Sequence, residues 1–211
     1  MFCYKSIDFY CGSVKIDIEE KFGGIRLRVI SGCARGHKLK CLEGMNTRPT
    51  TDRIKESLFN IIAGYIPDAY ILDLFAGTGA LGIEALSRGA EHAVFVDQSQ
   101  SASKIIRDNL THTKLEHKAK IHTTSWNDFI DKIYANDRKF DVIFMDPPYE
   151  KGFIIPVTQR IWEKNMLSEN GLLVIERDKE DEVPKVIGGF EVYREQQYGR
   201  TVLCFLRLEH A

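Results

Sequence analysis

The chain has 211 residues, of which 44% are hydrophobic and 28% charged, and its formal net charge at pH 7 is −1. This composition is typical of an ordinary globular protein, and the length favours one main domain with a small appendage. No apolar run approaches the roughly 20 residues of a membrane span. The start of the chain lacks the basic and apolar regions of a signal peptide, so we expect the protein in the cytoplasm.

Cysteine and histidine are scattered rather than clustered. The five cysteines stand at positions 3, 11, 33, 41 and 204, and no two of them form a Cys-x-x-Cys pair. Zinc and redox motifs require such close spacing. The sequence therefore predicts free thiols and no metal site.

The first third of the chain predicts a small β element followed by a helix. SVKIDI at 13–18 and IRLRVI at 25–30 alternate polar and apolar residues, which indicates half-buried strands. After the turn-rich NTRPTTD, apolar residues recur at helical spacing from Ile54 to Ile62. This pattern predicts a helix over 52–63.

From Tyr70 onward, predicted strands alternate with predicted helices. The strands are expected at 70–75, 92–97, 120–124, 141–146 and 171–177, and the helices at 79–88, 101–110, 126–134 and 153–166. Strands that are apolar on both faces and alternate with helices indicate a parallel sheet covered on both sides. The segment 189–208 predicts two antiparallel strands joined near Gly199. The expected fold is α/β: a doubly wound, mostly parallel, seven-stranded Rossmann-like sheet with an antiparallel C-terminal strand.

A glycine-rich motif follows the first of these strands. Gly77, Gly79 and Gly82 form a G-x-G-x-x-G pattern that opens a helix, and Asp97 ends the next strand. Such glycines let backbone approach a phosphate or nucleoside, and the acid binds ribose hydroxyls. Taken alone the pattern favours NAD, but it serves other adenosine-bearing cofactors equally well.

The stretch FDVIFMDPPYE at 140–150 ends a core strand on an acid and two prolines. Proline fixes φ and donates no backbone hydrogen bond, so the strand must stop at Asp146. Two consecutive prolines also restrict the residues before them to extended conformations. The carboxylate of Asp146 and the carbonyl of Pro147 are therefore held in a fixed orientation, which suits a catalytic site. Such an arrangement has no evident use in hydride transfer.

Together these motifs resemble the class I S-adenosylmethionine-dependent methyltransferases, in which the glycine loop, the acid and Asp-Pro-Pro-Tyr occur in this order. RVISGCARGHKLK, TRPTTDRIKESLFNII, DLFAGTGALGIEALSRGA, FMDPPY and YGRTVL look like the RsmD family of 16S rRNA guanine-N2 methyltransferases. The resemblance runs from Arg26 to Leu206. It implies methyl transfer from S-adenosylmethionine to the exocyclic N2 of a guanine in 16S rRNA.

We also expect a domain division and particular partners. Residues 1–50 would form an N-terminal β extension with a basic RNA-binding segment, and residues 51–211 the methyltransferase domain. The expected partner is 16S rRNA or a small-subunit assembly intermediate, and the protein is expected to be a monomer. Two departures from the family pattern are residues 1–25, which precede its usual start, and TTSWND, which lacks the acid expected after the third strand.

Three groups of site residues follow from the motifs and the resemblance. The predicted catalytic residues are Asp146, Pro147, Pro148 and Tyr149, with Tyr149 offering a ring on which the extruded base stacks. The predicted cofactor-binding residues are Asp73, Phe75, Gly77, Thr78, Gly79, Asp97, Gln98, Ser125, Trp126 and Asp146. The predicted RNA-binding residues are Arg35, Lys38, Lys40, Arg48 and Arg53.

The RNA-binding prediction depends on an uneven charge distribution. Residues 26–55 contain eight basic residues, including Lys55, against the two acids Glu43 and Asp52, in a chain that is slightly acidic overall. A local basic stripe favours a phosphate backbone. A solvated face without a partner is the alternative.

Other functions remain open on the sequence alone. Asp-Pro-Pro-Tyr indicates the kind of nitrogen that is methylated but not the molecule that carries it. The target could be DNA adenine or cytosine, or a protein glutamine, although 211 residues leave little room for a DNA-recognition domain. An inactive RNA-binding module and, more distantly, an NAD dehydrogenase are the alternatives from other classes.

Overall fold

A computed structural model describes the chain at residues 27–41, 52–134, 138–148 and 152–209. The sequence predictions outside these ranges include the strand at 13–18, the free thiols of Cys3 and Cys11, the cation Arg48 and the stacking residue Tyr149. Within the described ranges, none of the helices combines the length and the apolar character needed to cross a membrane.

The described part of the chain is built around one eight-stranded sheet. Its strands are β1 (Tyr70–Leu74), β2 (His92–Asp97), β3 (Ala119–Thr123), β4 (Phe140–Met145), β5 (Leu167–Asp178), β6 (Val186–Ile187), β7 (Phe190–Tyr198) and β8 (Thr201–Leu208). Their spatial order is β3-β2-β1-β4-β5-β8-β7-β6. The strands from β3 to β5 run parallel, and β8, β7 and β6 continue the sheet in antiparallel pairings. The chain order reverses between β1 and β4, and ligands of open α/β sheets bind beyond the carboxyl ends of the strands at such a reversal.

Helices cover both faces of this sheet. They are α1 (Asp52–Ile61), α2 (Ala80–Ser87), α3 (Gln100–Thr113), α4 (Trp126–Asp128) and α5 (Ile154–Glu163). Leu58, Ile83 and Ile106 of α1, α2 and α3 belong to the apolar cluster on one face. Val157 and Ile161 of α5 belong to the cluster on the other. Because both faces are covered, the central strands are apolar on both sides, as the sequence predicts.

The predicted α/β fold is confirmed, with two differences in detail. The structure adds an eighth strand, β6, which pairs with the start of β7. It has two residues, too few for an alternating pattern to be recognised. The helix predicted over 126–134 is a single turn of α-helix followed by a π-helix at Phe129–Ile133.

The strand predicted at 25–30 is described from residue 27, where the structure has an isolated antiparallel bridge to the segment just after it rather than a regular strand. Arg28 bridges Lys38 in antiparallel fashion, and the Leu39 amide donates to the Leu27 carbonyl at 2.7 Å. Leu27 and Val29 are buried, whereas Arg28 is exposed, so the predicted alternation holds. We call residues 27–41 the basic hairpin.

One buried carboxylate joins the basic hairpin to α1 and α2. Glu84 of α2 accepts hydrogen bonds from the amides of Ile30 at 2.7 Å and Ser31 at 2.9 Å. It also accepts from Arg88 Nε at 2.7 Å and forms an ion pair with Lys55 Nζ at 3.3 Å. The side chains of Glu84 and Lys55 are both fully buried. Burial lowers the pKa of Lys55, and the charge of Glu84 opposes this effect.

The burial of Lys55 corrects the count of surface cations. The basic stretch of the sequence includes Lys55, but this side chain points into the protein and donates to the carbonyl of Arg28. Its spacing within α1 agrees with this position, because Lys55 follows Ile54 and lies three residues before the buried Leu58. The described part of the basic hairpin is therefore fixed to the helices next to it. The domain division at residue 50 stays a prediction.

Candidate active site

The glycine-rich loop between β1 and α2 turns sharply at the carboxyl edge of the sheet. Phe75, Gly77 and Gly79 have φ angles of 68°, 53° and 75°. Gly79 also lies where an added Cβ would come within 3.2 Å of Ile106, so it meets both a conformational and a steric demand for glycine. An added Cβ at Gly77 would have the Phe75 carbonyl oxygen as its nearest neighbour, at 4.0 Å. The loop therefore leaves open space beside Gly77 for a ligand.

Asp97 at the end of β2 holds this loop in place. Its Oδ2 accepts from the Gly77 amide at 2.9 Å, and its Oδ1 accepts from the Ser99 amide at 2.8 Å. The side chain of Asp97 is half-buried, and the next residue, Gln98, is exposed. On the other side of the loop, the Thr78 carbonyl accepts from the Asn109 amide group at 3.0 Å. The loop is thus fixed by acceptors and donors from β2 and α3.

Asp73 lies beneath the loop, in β1. Its Oδ2 accepts from the Gly82 amide at 2.9 Å, and the side chain is buried. A Cβ added to Gly82 would come within 2.3 Å of the Phe95 ring, so the third glycine of the motif permits close packing of α2 on β2. Burial raises the pKa of Asp73 to about 7, the Gly82 hydrogen bond lowers it, and the charge of Asp97 raises it. The sequence left open whether Asp73 orders the loop or contacts the cofactor. The Gly82 bond shows that it holds the first turn of α2, directly after the loop, and a cofactor contact stays a prediction.

The raised pKa of Asp73 predicts a pH-dependent stability. Because the folded protein holds this proton up to about pH 7 and the unfolded chain releases it near pH 3.8, the free energy of unfolding should fall as pH rises through this interval. The share due to Asp73 is up to about 4 kcal/mol, at 1.36 kcal/mol per pKa unit. Urea unfolding at several pH values should show a shallower fall in Asp73→Asn. Asp108→Asn should keep the wild-type fall, because its partner Lys40 holds the pKa of Asp108 below this range. An unchanged slope in Asp73→Asn would contradict the prediction.

Asp146 follows β4 directly, beside the loop. It is half-buried, Pro147 is buried and Pro148 is exposed. Burial raises the pKa of Asp146 well above its usual range, and the charges of Glu176 and Asp73 raise it further. The sequence prediction that a core strand stops at Asp146 is confirmed, since β4 ends at Met145.

Glu176 is a site residue that the sequence analysis missed. Met145 pairs with Ile175 in the parallel register of β4 and β5, so Asp146 and Glu176 are the next pair along two adjacent strands. Glu176 is 4% exposed and lines a cavity with Pro147, Pro148 and Phe153. Its position was available as a signal, because it closes the apolar run LLVIE at the carboxyl end of a predicted core strand.

Aromatic rings form the side of the site near α5. Phe153, which the sequence analysis also missed, packs against Phe75 with ring centroids 5.9 Å apart. Trp126 makes an edge contact with the same Phe153 ring at 6.5 Å. Ser125 caps α4 by accepting from the Asp128 amide at 3.1 Å. The predicted cofactor residues Phe75 and Trp126 therefore belong to one aromatic group, whereas the Ser125 hydroxyl has a structural partner.

The predicted RNA-binding residues in the described ranges are exposed. Arg35, Lys38 and Lys40 lie on the basic hairpin, and Arg53 lies in the first turn of α1. Arg28 pairs with Asp52 at 2.7 Å, which brings the hairpin and the start of α1 together. These four predicted cations therefore lie on connected elements.

The predicted RNA-binding cations lie at different distances from the glycine loop. Lys40 pairs with Asp108 at 2.9 Å, and its backbone exchanges hydrogen bonds with Asn109, which also binds the glycine loop. Arg35 lies in the turn that contacts Ser87, at the far end of α2. Lys40 is therefore nearer the glycine loop than Arg35. Among the described residues, no group of three or more His, Cys, Asp or Glu could hold a metal ion.

Comparisons with known proteins identify the family of this chain. The family model described as conserved hypothetical protein 95 matches residues 27–207. The Bacillus subtilis protein YlbH is 41% identical over 175 residues, which cover 83% of this chain and 95% of YlbH. Ribosomal RNA small subunit methyltransferase D of Escherichia coli K12 is 32% identical, with 85% of this chain and 88% of that protein covered. The solved structure of Escherichia coli yhhF superposes with a TM-score of 0.78 at 32% identity and covers 88% of this chain and 99% of that chain. The chain belongs to the conserved hypothetical protein 95 family, which is the RsmD family that its motifs resemble.

Proposed function

We propose that this protein transfers a methyl group from S-adenosylmethionine to the exocyclic N2 of a guanine in 16S rRNA. The broader activity, methylation of ribosomal RNA, is supported by relatives named as ribosomal RNA small subunit methyltransferase D. The choice of an exocyclic amine as the target rests mainly on one observation, the carboxylate of Asp146 and the buried Pro147 directly after β4 beside the glycine loop. The choice of N2 of guanine follows from the resemblance of the motifs to the RsmD family. The proposal includes action in the cytoplasm, as a monomer, on free 16S rRNA or an assembling small subunit.

The glycine loop fits an adenosine-bearing cofactor. The space beside Gly77 admits a ligand close to the backbone, and Asp97 lies at the end of β2, where a carboxylate can bind ribose hydroxyls. Phe75 and Trp126 supply apolar surface nearby. When bound, S-adenosylmethionine supplies an activated methyl group on a positively charged sulfur. That positive charge would favour the ionised form of Asp146 and oppose the effect of its burial.

Asp146 and Pro147 provide the acceptors that a guanine amine requires. The lone pair of this amine is delocalised into the ring, so the nitrogen is a poor nucleophile until its geometry changes. Hydrogen bonds from the amine to the Asp146 carboxylate and the Pro147 carbonyl would favour a pyramidal nitrogen and stabilise the positive charge that develops on it. The raised pKa of Asp146 also suits it to accept the proton that the amine loses. Pro147 and Pro148 keep both acceptors fixed, so little reorganisation is needed.

The direct test is methyl transfer with labelled S-adenosylmethionine and four substrates in parallel: naked 16S rRNA, small-subunit particles, DNA and a protein extract. We expect N2-methylguanosine in nucleosides from the rRNA or the particles, detected by mass spectrometry. Label that enters only DNA or protein would contradict the proposal, and so would a different methylated nucleoside in the rRNA. Comparing rRNA from cells with and without the protein tests the same assignment in the cell.

Binding of RNA through the basic hairpin and the first turn of α1 predicts a strong salt dependence. If Arg35, Lys38, Lys40 and Arg53 each contact one phosphate, log affinity should fall with log salt concentration at a slope of about −3, at ~0.7 per contact. Lys38→Ala should make the slope shallower by about 0.7. Lys139→Ala is the charge-matched control, because Lys139 is exposed and directly precedes β4, at the opposite end of this strand from Asp146. An affinity that does not vary with salt would exclude phosphate binding by this hairpin.

A further inference from the structure

The cavity beyond the ends of β4 and β5 has the composition of a base-binding site. It measures about 90 Å³, and its walls include Pro147, Pro148, Phe153 and Ile154. Phe153 contacts Phe75 of the glycine loop, so the cavity adjoins the proposed cofactor site. Apolar and aromatic walls suit the flat face of a nucleobase that has left its stack.

The polar side chains of the residues that line this cavity are acceptors. Among its described lining residues, the side chains that carry polar atoms are Glu176, Asp181 and Glu182, and all three are carboxylates. Glu176 is 4% exposed, whereas Glu182 is exposed at the rim. The buried polar residue of this lining, Glu176, is therefore a carboxylate in a largely apolar environment. A hydrogen bond from a ligand donor to such a carboxylate has a large effect on the binding free energy.

Glu176 stands beside the acceptors proposed for the amine. Asp146 and Glu176 each follow a paired residue of neighbouring parallel strands, whose backbones lie about 4.8 Å apart. Residues at one level of adjacent strands point to the same face of a sheet. The effect of Glu176 on the pKa of Asp146 agrees with this proximity. A guanine whose amine meets Asp146 and Pro147 has two ring atoms beside that amine, N1 and N3, and in one of the two orientations N1 lies toward Glu176.

That ring atom distinguishes guanine from the other bases that carry an amine. Beside its amine, guanine has N1–H, which is a hydrogen-bond donor. Adenine has N1 and cytosine has N3 in the equivalent place, and both are acceptors that a carboxylate repels. We propose that Glu176 accepts a hydrogen bond from N1–H of the target guanine and so selects guanine over adenine and cytosine, an assignment that rests on the proposed function. Glu176 is then a specificity residue of the methyl-transfer site.

The test compares guanosine with 2-aminopurine ribonucleoside at the methylated position of one RNA oligonucleotide. 2-Aminopurine keeps the 2-amine but has an acceptor at N1. Wild-type kcat/KM should be about 10- to 100-fold higher for guanosine, as expected for one well-formed base contact. In Glu176→Gln the side-chain amide can donate to N1 of 2-aminopurine, so the preference should fall to about 3-fold or less. Glu182→Gln, at the exposed rim, should keep the wild-type preference.

The readout remains informative if Glu176→Gln folds less well than the wild type. The preference is a ratio measured on one preparation, so a smaller active fraction lowers both rates equally. An unchanged ratio in Glu176→Gln, or loss of preference in Glu182→Gln instead, would overturn the role of Glu176. Wild-type protein that methylates neither oligonucleotide nor full-length 16S rRNA would contradict the proposed function itself, which separates the two failures.

Discussion

Asp146→Ala is expected to lower kcat for rRNA methylation by about 100- to 1,000-fold, the range found when one preorganised electrostatic contact to a transition state is removed. The affinity for S-adenosylmethionine should fall much less than kcat: the charge of Asp146 contributes to holding the sulfonium, but the glycine loop itself is held by Asp97 and Asn109. Single-turnover methylation and calorimetric titration of the cofactor measure the two quantities separately. RNA binding that persists without any cofactor binding in the wild type would instead favour the inactive RNA-binding module.

Asp146→Asn is the matched variant for the role of charge. It retains the shape of the side chain and one acceptor oxygen but cannot take a proton. We expect intermediate activity and a change in the pH profile. In the wild type, kcat/KM should fall at acidic pH because Asp146 must be ionised, and burial places this fall above the usual aspartate range. The acidic fall should disappear in Asp146→Asn, and its persistence would assign the titration to another group.

Glu84→Gln is expected to lower the free energy of unfolding by about 3 to 5 kcal/mol, because it leaves the ammonium of Lys55 buried without its counter-charge. Amide hydrogen exchange should also accelerate at Ile30 and Ser31, whose N–H groups donate hydrogen bonds to the Glu84 carboxylate in the wild type. Urea unfolding monitored by circular dichroism gives the free energy, and mass spectrometry of exchanged peptides gives the local effect.

Two further variants isolate the buried charge. Glu91→Gln breaks the exposed pair with Arg138 and should cost less than about 1 kcal/mol. Adding Lys55→Met to Glu84→Gln should recover part of the loss, since it removes the unpaired cation. A Glu84→Gln protein as stable as Glu91→Gln would show that the buried pair contributes little.

Much of the fold was predictable because strands buried on both faces leave a continuous apolar signal. YILDLF, HAVFVD and DVIFMD each fall on a strand of the observed sheet. The glycine loop was predictable for a related reason, since its positive φ angles and close packing restrict it to particular residues. Local sequence patterns therefore sufficed to locate the glycine loop and the end of β4.

Features that depend on long-range contacts were not predictable in the same way. The sequence alone groups Lys55 with the surface cations. Its buried ion-pair partner, Glu84, lies 29 positions away in another helix, so no local pattern reveals the pair. Glu176 and Phe153 join Asp146 only after β5 and α5 have packed beside β4. A periodic pattern along one segment carries no information about which distant segment will face it.

The carboxylate that fastens the basic hairpin has a consequence for synthesis of the chain. Ile30 precedes Glu84 by 54 residues, so at 5–20 residues per second the ribosome needs about 3 to 11 s to make the acceptor after the donor has been made. During that interval Leu27 and Val29 of the nascent chain lack helix α2, whose Ile83 belongs to the same apolar cluster in the finished protein. The basic hairpin, which is proposed to bind ribosomal RNA, is thus synthesised well before the Glu84 carboxylate that anchors it. A delay in elongation before Glu84 would prolong the time for which a chaperone can bind the unanchored hairpin.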